Sequence, residues 1–279
     1  MKYLIKVSLV LVFFWLFSNL LIAQAPNRPV PARTHKLAAE KAFGSPQSIS
    51  EVKDMLENNE AYTALKDLIE NYKVAIVYAD NSFFGNANLK RGDFVVSFNS
   101  ALERIKDVTK NAELDTSVIN TYDRNKAYIT SITQVKDLQP GSIYYIAVQS
   151  LLEEWGINAV FTKAALLNAG SIIYQDELYD ILRVTLGYDY GTLMPKKIAV
   201  SRSRFAIILD DVLNQKIKQV ETIAAEKKAR DDAEKARVNA IIQQIQQSHR
   251  DSVSKEIELR KIEAEKKEAE ARKQLEDKK

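Results

Sequence analysis

The sequence predicts a mainly α-helical protein: short helix–loop–helix copies followed by a long C-terminal helix. Three observations predict it. One helix-start signal recurs at three places, as LKRGDF (89–94), IYQDEL (173–178) and VSRSRF (200–205). An upstream helical pattern occurs twice, as ALKDLIENYKV (64–74) and AVQSLLEEWGI (147–157), with Tyr72 opposite Trp155. After Gly191 there is no glycine and after Pro195 no proline, so the remaining chain lacks the residues that break helices. Self-similarity of this kind is the mark of a repeat architecture.

Met1 to Ala25 reads as an export signal: Lys2 and Lys6, an apolar run from Val7 to Ile22, then Ala23-Gln24-Ala25 for cleavage. The alternative is an uncleaved membrane anchor, since the run approaches the length of a short spanning helix. Residues 26–50 form a linker, kept irregular by Pro26, Pro29, Pro31, Pro46 and Gly44. A helix is expected over about 51–71, with Ser50 as its cap and Asn58-Asn59 as a point of division. Ile76, Val77 and Tyr78 suit a short extended piece. The loop after them holds the turn formers Asp80, Asn81, Gly85, Asn86 and Asn88.

The next helix shows its buried face at Phe94, Val95, Phe98, Ala101, Leu102 and Ile105, steps of three and four residues. Residues 107–135 bridge to the next copy, with a helix near 116–130. Asp137, Pro140 and Gly141 mark a turn before a helix at 143–156, which Gly156 closes. In the start signals, Leu89, Ile173 and Val200 are the apolar lead residues. Arg91 then matches Gln175 and Arg202, Asp93 matches Glu177 and Arg204, and Phe94 matches Leu178 and Phe205.

Residues 214–279 are dominated by Lys, Glu, Ala, Arg, Gln and Ile. As one helix from 203 they would span on the order of 110 Å at about 1.5 Å per residue. The apolar stripe is interrupted, so two readings stand: a solvated helix held by i,i+4 ion pairs, or a coiled coil with another chain.

Composition narrows the chemistry. Across 279 residues the formal net charge is only +3, without the concentrated basic face that nucleic acid requires. There is no cysteine, which removes disulfides, thiolate catalysis and lipid anchoring through an N-terminal cysteine. With only His35 and His249, a histidine-rich metal site is also removed. No nucleophile–base or phosphate-loop motif occurs, so the reading is non-catalytic, with no cofactor.

From about 45 to 213 the chain resembles the S-layer homology (SLH) module, a helix, a loop like GYPDGTF and a helix opening like ITRAEFA. Residues 76–102, VYADNSFFGNANLKRGDF and the helix after it, are especially similar to the SLH module of Gram-negative outer-membrane proteins, where the loop reads like FRGN and the helix like LTRGEF. Residues 186–209, opening LGYDYGTLMP, resemble the loop most. The middle copy departs most, with no glycine–aspartate turn.

The resemblance implies three copies packed around a common axis and attachment to an acidic cell-wall glycan or peptidoglycan in grooves between them. By position it makes Arg91 and Arg202 anion contacts, with Asp93 as their acidic partner. Asp80 and Asn86 of the first loop, with Tyr188 and Asp189 of the last, would shape groove walls. Arg204 reverses the family's acid, and Gln175 leaves the middle copy without its arginine. Two alternatives remain open. The arginines could bridge to a neighbouring copy's carboxylate. The repeats could be a degenerate scaffold whose C-terminal helix binds a protein partner or a second copy. A variant architecture has two copies and an inserted helical hairpin at 158–190.

Overall fold

The computed structural model describes residues 42–115, 117, 128–188, 190 and 197–276, with side chains to 270. The export signal, the linker up to residue 41, Asp189 and most of the helix expected near 116–130 lie outside the described residues. The described chain is mainly helical. Its elements are α1 (Tyr62–Lys66), running on as a π-helical turn (Asp67–Asn71), α2 (Arg91–Asn111), α3 (Tyr145–Gln149), running on as a second π-helical turn (Ser150–Glu154), α4 (Gln175–Leu186) and α5 (Arg202–Glu276). Among the described residues β structure is limited to isolated bridges. Residues 158–174 carry turns rather than half of a helical hairpin.

The chain divides into two units, one through Val220 and one from Glu221. In the first, two stretches fold alike, with one residue more in the second between Lys73/Gly156 and Ile76/Val160. Each opens on a 3₁₀ turn, Ile49–Glu51 or Ile132–Gln134, capped by Ser48 or Ser131 in a reciprocal capping box. The cap of the first copy is therefore Ser48, not Ser50, and the helix expected from 51 begins only at Tyr62. Asn59 explains the delay: its side chain accepts from the Ala61 N–H at 2.9 Å, closing a turn before the helix starts.

Glu70 accepts from Ile49 N–H (3.0 Å) and the Ser48 hydroxyl (3.1 Å); Glu153 does the same for Ile132 and Ser131 at 3.3 and 3.4 Å. These bonds hold the Glu70 carboxyl below the usual carboxylate range. Asp54 clamps the loop by accepting from Phe83 N–H (2.7 Å) and Phe84 N–H (2.6 Å), and Asp137 accepts from Leu167 (2.8 Å) and Asn168 (2.7 Å). Left-handed residues recur in step: Lys73 with Gly156, Asn81 with Ala165, Phe84 with Asn168. A non-glycine residue tolerates that region when surrounding bonds over-determine it, and the aspartate clamps supply such bonds at Phe84 and Asn168.

The three start signals meet. Leu89 N–H donates to Val200 O (2.8 Å), Val200 N–H to Ile173 O (3.0 Å), and Ile173 N–H to Leu89 O (3.0 Å), a closed ring. The bridges around it are cyclic too: Lys90 with Ile172, Tyr174 with Ala199, Ser201 with Asn88. One residue further, Arg91, Gln175 and Arg202 donate their N–H groups to Ser171, Ile198 and Ala87 carbonyls at 2.8–2.9 Å. Inside the ring's helices Phe94, Leu178 and Phe205 are fully buried, and Phe94 packs on Phe98 (5.2 Å, stacked) and Phe205 (5.6 Å, edge-on). Burying each such side chain is worth about 1.5–3 kcal/mol, so these three helix starts contribute to the core of the first unit.

In the second unit, α5 is helical to Glu276, and the residues from 225 on whose side chains are described are exposed apart from Lys227. Among the described residues no helix is long and apolar enough to cross a membrane.

Candidate functional site

The two arginines singled out from the sequence sit at two different junctions, in equivalent surroundings. Arg202 is 2 % exposed. Its Nε donates to Phe83 O (2.6 Å), its Nη2 to Ile76 O (2.6 Å), and its Nη1 to Asp93 Oδ2 and Tyr78 Oη, both at 3.1 Å. The guanidinium lies over the Tyr78 ring, 4.3 Å from its centroid. Tyr78 donates its hydroxyl to Asp93 at 2.6 Å. Burial and that bond push the Tyr78 hydroxyl up to about 12.

Arg91 is 8 % exposed and pairs with Glu177 at 2.5 Å, while its Nη1 donates to Val160 O at 3.1 Å. Val160 and Ile76 occupy matching places, as do Glu177 and Asp93. Arginine of one copy thus meets the acid of the next. The motif departs at two further positions, with Gln175 where the other copies have arginine and Arg204 where they have an acid; Arg204 is exposed.

The helix starts themselves are occupied. Beyond the bonds of Arg91 and Arg202, Gly92 N–H donates to Ala169 O and Ser203 N–H to Gly85 O, both at 2.9 Å. The first two N–H groups of α2 and α5, free in an isolated helix, are here satisfied by a neighbouring loop.

A cleft of about 610 Å³ opens beside the Arg202–Asp93–Tyr78 cluster. Tyr78, Phe84 and Tyr144 supply its rings; Asp80, Asn88 and Lys90 supply exposed polar groups. Asp93 also reaches it. The Asp80 carboxyl is held low by hydrogen bonds from the Ser82 hydroxyl (2.5 Å) and N–H (3.0 Å). Gly92 lets Tyr144 approach: a Cβ there would stand 2.5 Å from the ring. Asn86 lies in a separate cleft of about 340 Å³ with Asp54, Met55 and Asn59.

Tyr188 is buried elsewhere, donating to Asp211 on α5 at 2.5 Å, and burial raises its hydroxyl well above the usual phenol range. The structure therefore brings Asp80, Asp93 and Arg202 together, and leaves Arg91, Asn86 and Tyr188 apart from them. The sequence points to Tyr144, with Tyr145, Tyr188 and Tyr190, as an aromatic able to stack on a sugar ring or pack at the rim, but not to Lys90 or Asn88 as wall residues. Sequence reasoning also missed the repeat of SISEVKD (48–54) in SITQVKD (131–137), whose serines and aspartates build the caps and clamps. That repeat was visible in the letters; the cleft was not, because it joins residues far apart in the chain.

Among the described residues no cluster of His, Cys, Asp and Glu could hold a metal ion. Comparison with family models, curated proteins and solved structures finds no match for this chain.

Proposed function

We propose that the chain is an exported, non-catalytic cell-envelope protein. Three SLH-like copies packed around a common axis attach it to peptidoglycan or a linked acidic polysaccharide. The C-terminal helix serves as spacer or oligomerisation arm. The observation that supports this most is the closed ring of Leu89, Ile173 and Val200, with cyclic bridges around it. A ring of this kind sets loop residues of one copy against the helix start of another, which is where a groove between copies forms.

The attachment surface in this reading is the cleft of Tyr78, Phe84 and Tyr144. Aromatic faces take the apolar side of a sugar ring. Lys90, exposed at the rim, offers the cation for a glycan carboxylate, and ionised Asp80 and Asn88 accept and donate hydrogen bonds to hydroxyls. Arg202 acts from beneath by fixing Tyr78 and Asp93.

A second reading has its own support. Both arginines are spent on internal acceptors, as suits a scaffold whose partner binds the C-terminal helix. Co-sedimentation with sacculi, with and without attached polysaccharide, separates the two. Attachment through the cleft requires binding by the parent chain that falls at least about tenfold in Lys90→Glu and Tyr144→Ala. Absence of binding by the parent leaves the scaffold reading.

A further inference from the structure

We propose that the C-terminal helix pairs with a second copy of itself, and that the pair is antiparallel. This deepens the arm role suggested above. It depends on that reading for its purpose, not for its chemistry. Along the second unit Val238, Ile241, Ile245, Leu259 and Ile262 are 44–64 % exposed. They fall on first and fourth heptad positions, one seam of the helix. Ile242, Val253 and Ile257 lie off it, and Asp231, Glu234, Ser248, Ser252 and Lys255 interrupt it. A lone helix in water gains nothing from such a seam, whereas a partner helix removes it from water.

The flanks of the seam choose the partner and its direction. On the fifth and seventh heptad positions, the N-terminal half carries Lys228, Arg230, Lys235 and Arg237. The C-terminal half carries Asp251, Glu256, Glu258, Glu263, Glu265 and Glu270. From 228 to 237 every flank position is basic and from 251 to 270 every one is acidic; outside those stretches Glu221 and Arg272 carry the opposite signs. Between them lies a glutamine-rich middle, Gln243, Gln244, Gln246 and Gln247.

A parallel pair sets cation on cation at one end and acid on acid at the other. An antiparallel pair sets the basic half of each helix on the acidic half of its partner, twice over by symmetry, with the two-fold axis near Arg250, the register in which Val238 faces Ile262 and Ile241 faces Leu259. Glu256 already pairs with Arg260 on its own helix at 2.6 Å. Exposed pairs of that kind are worth about 0–1 kcal/mol, so the interhelical contact can replace it.

Sedimentation equilibrium of the full chain over the micromolar range should give a dimer; a monomer overturns the proposal. Direction is read by energy transfer. The chain has no cysteine, so Ala229→Cys and Ala264→Cys, both on the outer face, each carry one label. In an antiparallel pair the 229–264 combination is close and either same-site combination lies on the order of 40–60 Å apart, at about 1.5 Å per residue. Efficient same-site transfer with weak cross-site transfer overturns it.

Charge is tested by two chains, one with Lys228, Arg230, Lys235 and Arg237 all changed to Glu, the other with Glu256, Glu258, Glu263 and Glu265 all changed to Lys. Far-ultraviolet dichroism checks that both stay helical. Each alone should dimerise at least about tenfold more weakly than the parent, and an equimolar mixture should restore pairing. Undiminished self-pairing of either refutes the charge argument. A monomer that still sediments with sacculi removes the dimer and leaves the attachment reading intact.

Discussion

Replacing Arg202 with Met keeps much of the side-chain volume and deletes its charge and donors. Both members of the Arg202–Asp93 pair are nearly inaccessible, with side chains 2 % and 5 % exposed. The change strands the Asp93 carboxylate, with the Tyr78 hydroxyl as its remaining described donor, and removes a donor from the Phe83 and Ile76 carbonyls. Breaking one side of a buried pair costs about 3–5 kcal/mol, and a buried carbonyl left unbonded costs about 1–3 kcal/mol. These losses overlap, so roughly 4–5 kcal/mol is expected, a large part of the roughly 5–15 kcal/mol that holds a typical domain.

Arg91→Met is the control. Its partner Glu177 is 30 % exposed and water can take over part of the solvation, so roughly 1–2 kcal/mol is expected. Urea unfolding followed by Trp155 emission reads the first unit and not the helical tail, because Trp155 is buried in that unit; Trp15→Phe removes the other tryptophan. Adding Asp93→Asn to Arg202→Met should recover about 2 kcal/mol by removing the stranded charge. Equal costs for Arg202→Met and Arg91→Met, or no recovery in the double variant, would refute the reasoning.

Asp210 offers a pH test. Burial, with Asp67 and Asp211 nearby, pushes its carboxyl up to about 6. The fold therefore favours the protonated form, and stability should rise as pH falls through 6 and level off near the ordinary carboxylate value. Asp210→Asn should add about 1 kcal/mol at pH 8, discounted for partial exposure, and flatten that rise in chemical-denaturation curves. At the left-handed position after the first helix, Lys73→Gly should stabilise by about 0.5–1 kcal/mol, and Gly156→Ala at its counterpart should destabilise by about 1 kcal/mol, both read from thermal midpoints. Gly92→Ala should displace the Tyr144 ring, detected as a changed tyrosine near-ultraviolet signal and, if the cleft binds glycan, as weaker co-sedimentation.

Much of the helical plan is legible in the letters because helices are local. The stripe from Phe94 to Ile105, the Gly156 stop and the unbroken tail each follow from side-chain period or from glycine and proline. The alignment of Leu89, Ile173 and Val200 was readable as well, since equal surroundings select similar residues. The start of α1 was misplaced because Asn59 and Ser48 form local bonds that compete with helix. What only the tertiary structure decided is where those signals lead. The ring at the lead residues, the loop carbonyls that occupy the helix starts and the burial of Arg202 between Asp93, Tyr78 and two carbonyls all join segments up to 126 residues apart. A sequence states which groups need partners. Which distant group answers that need is fixed only when the chain closes and water is expelled, and there an arginine that reads as a ligand contact becomes an internal tie.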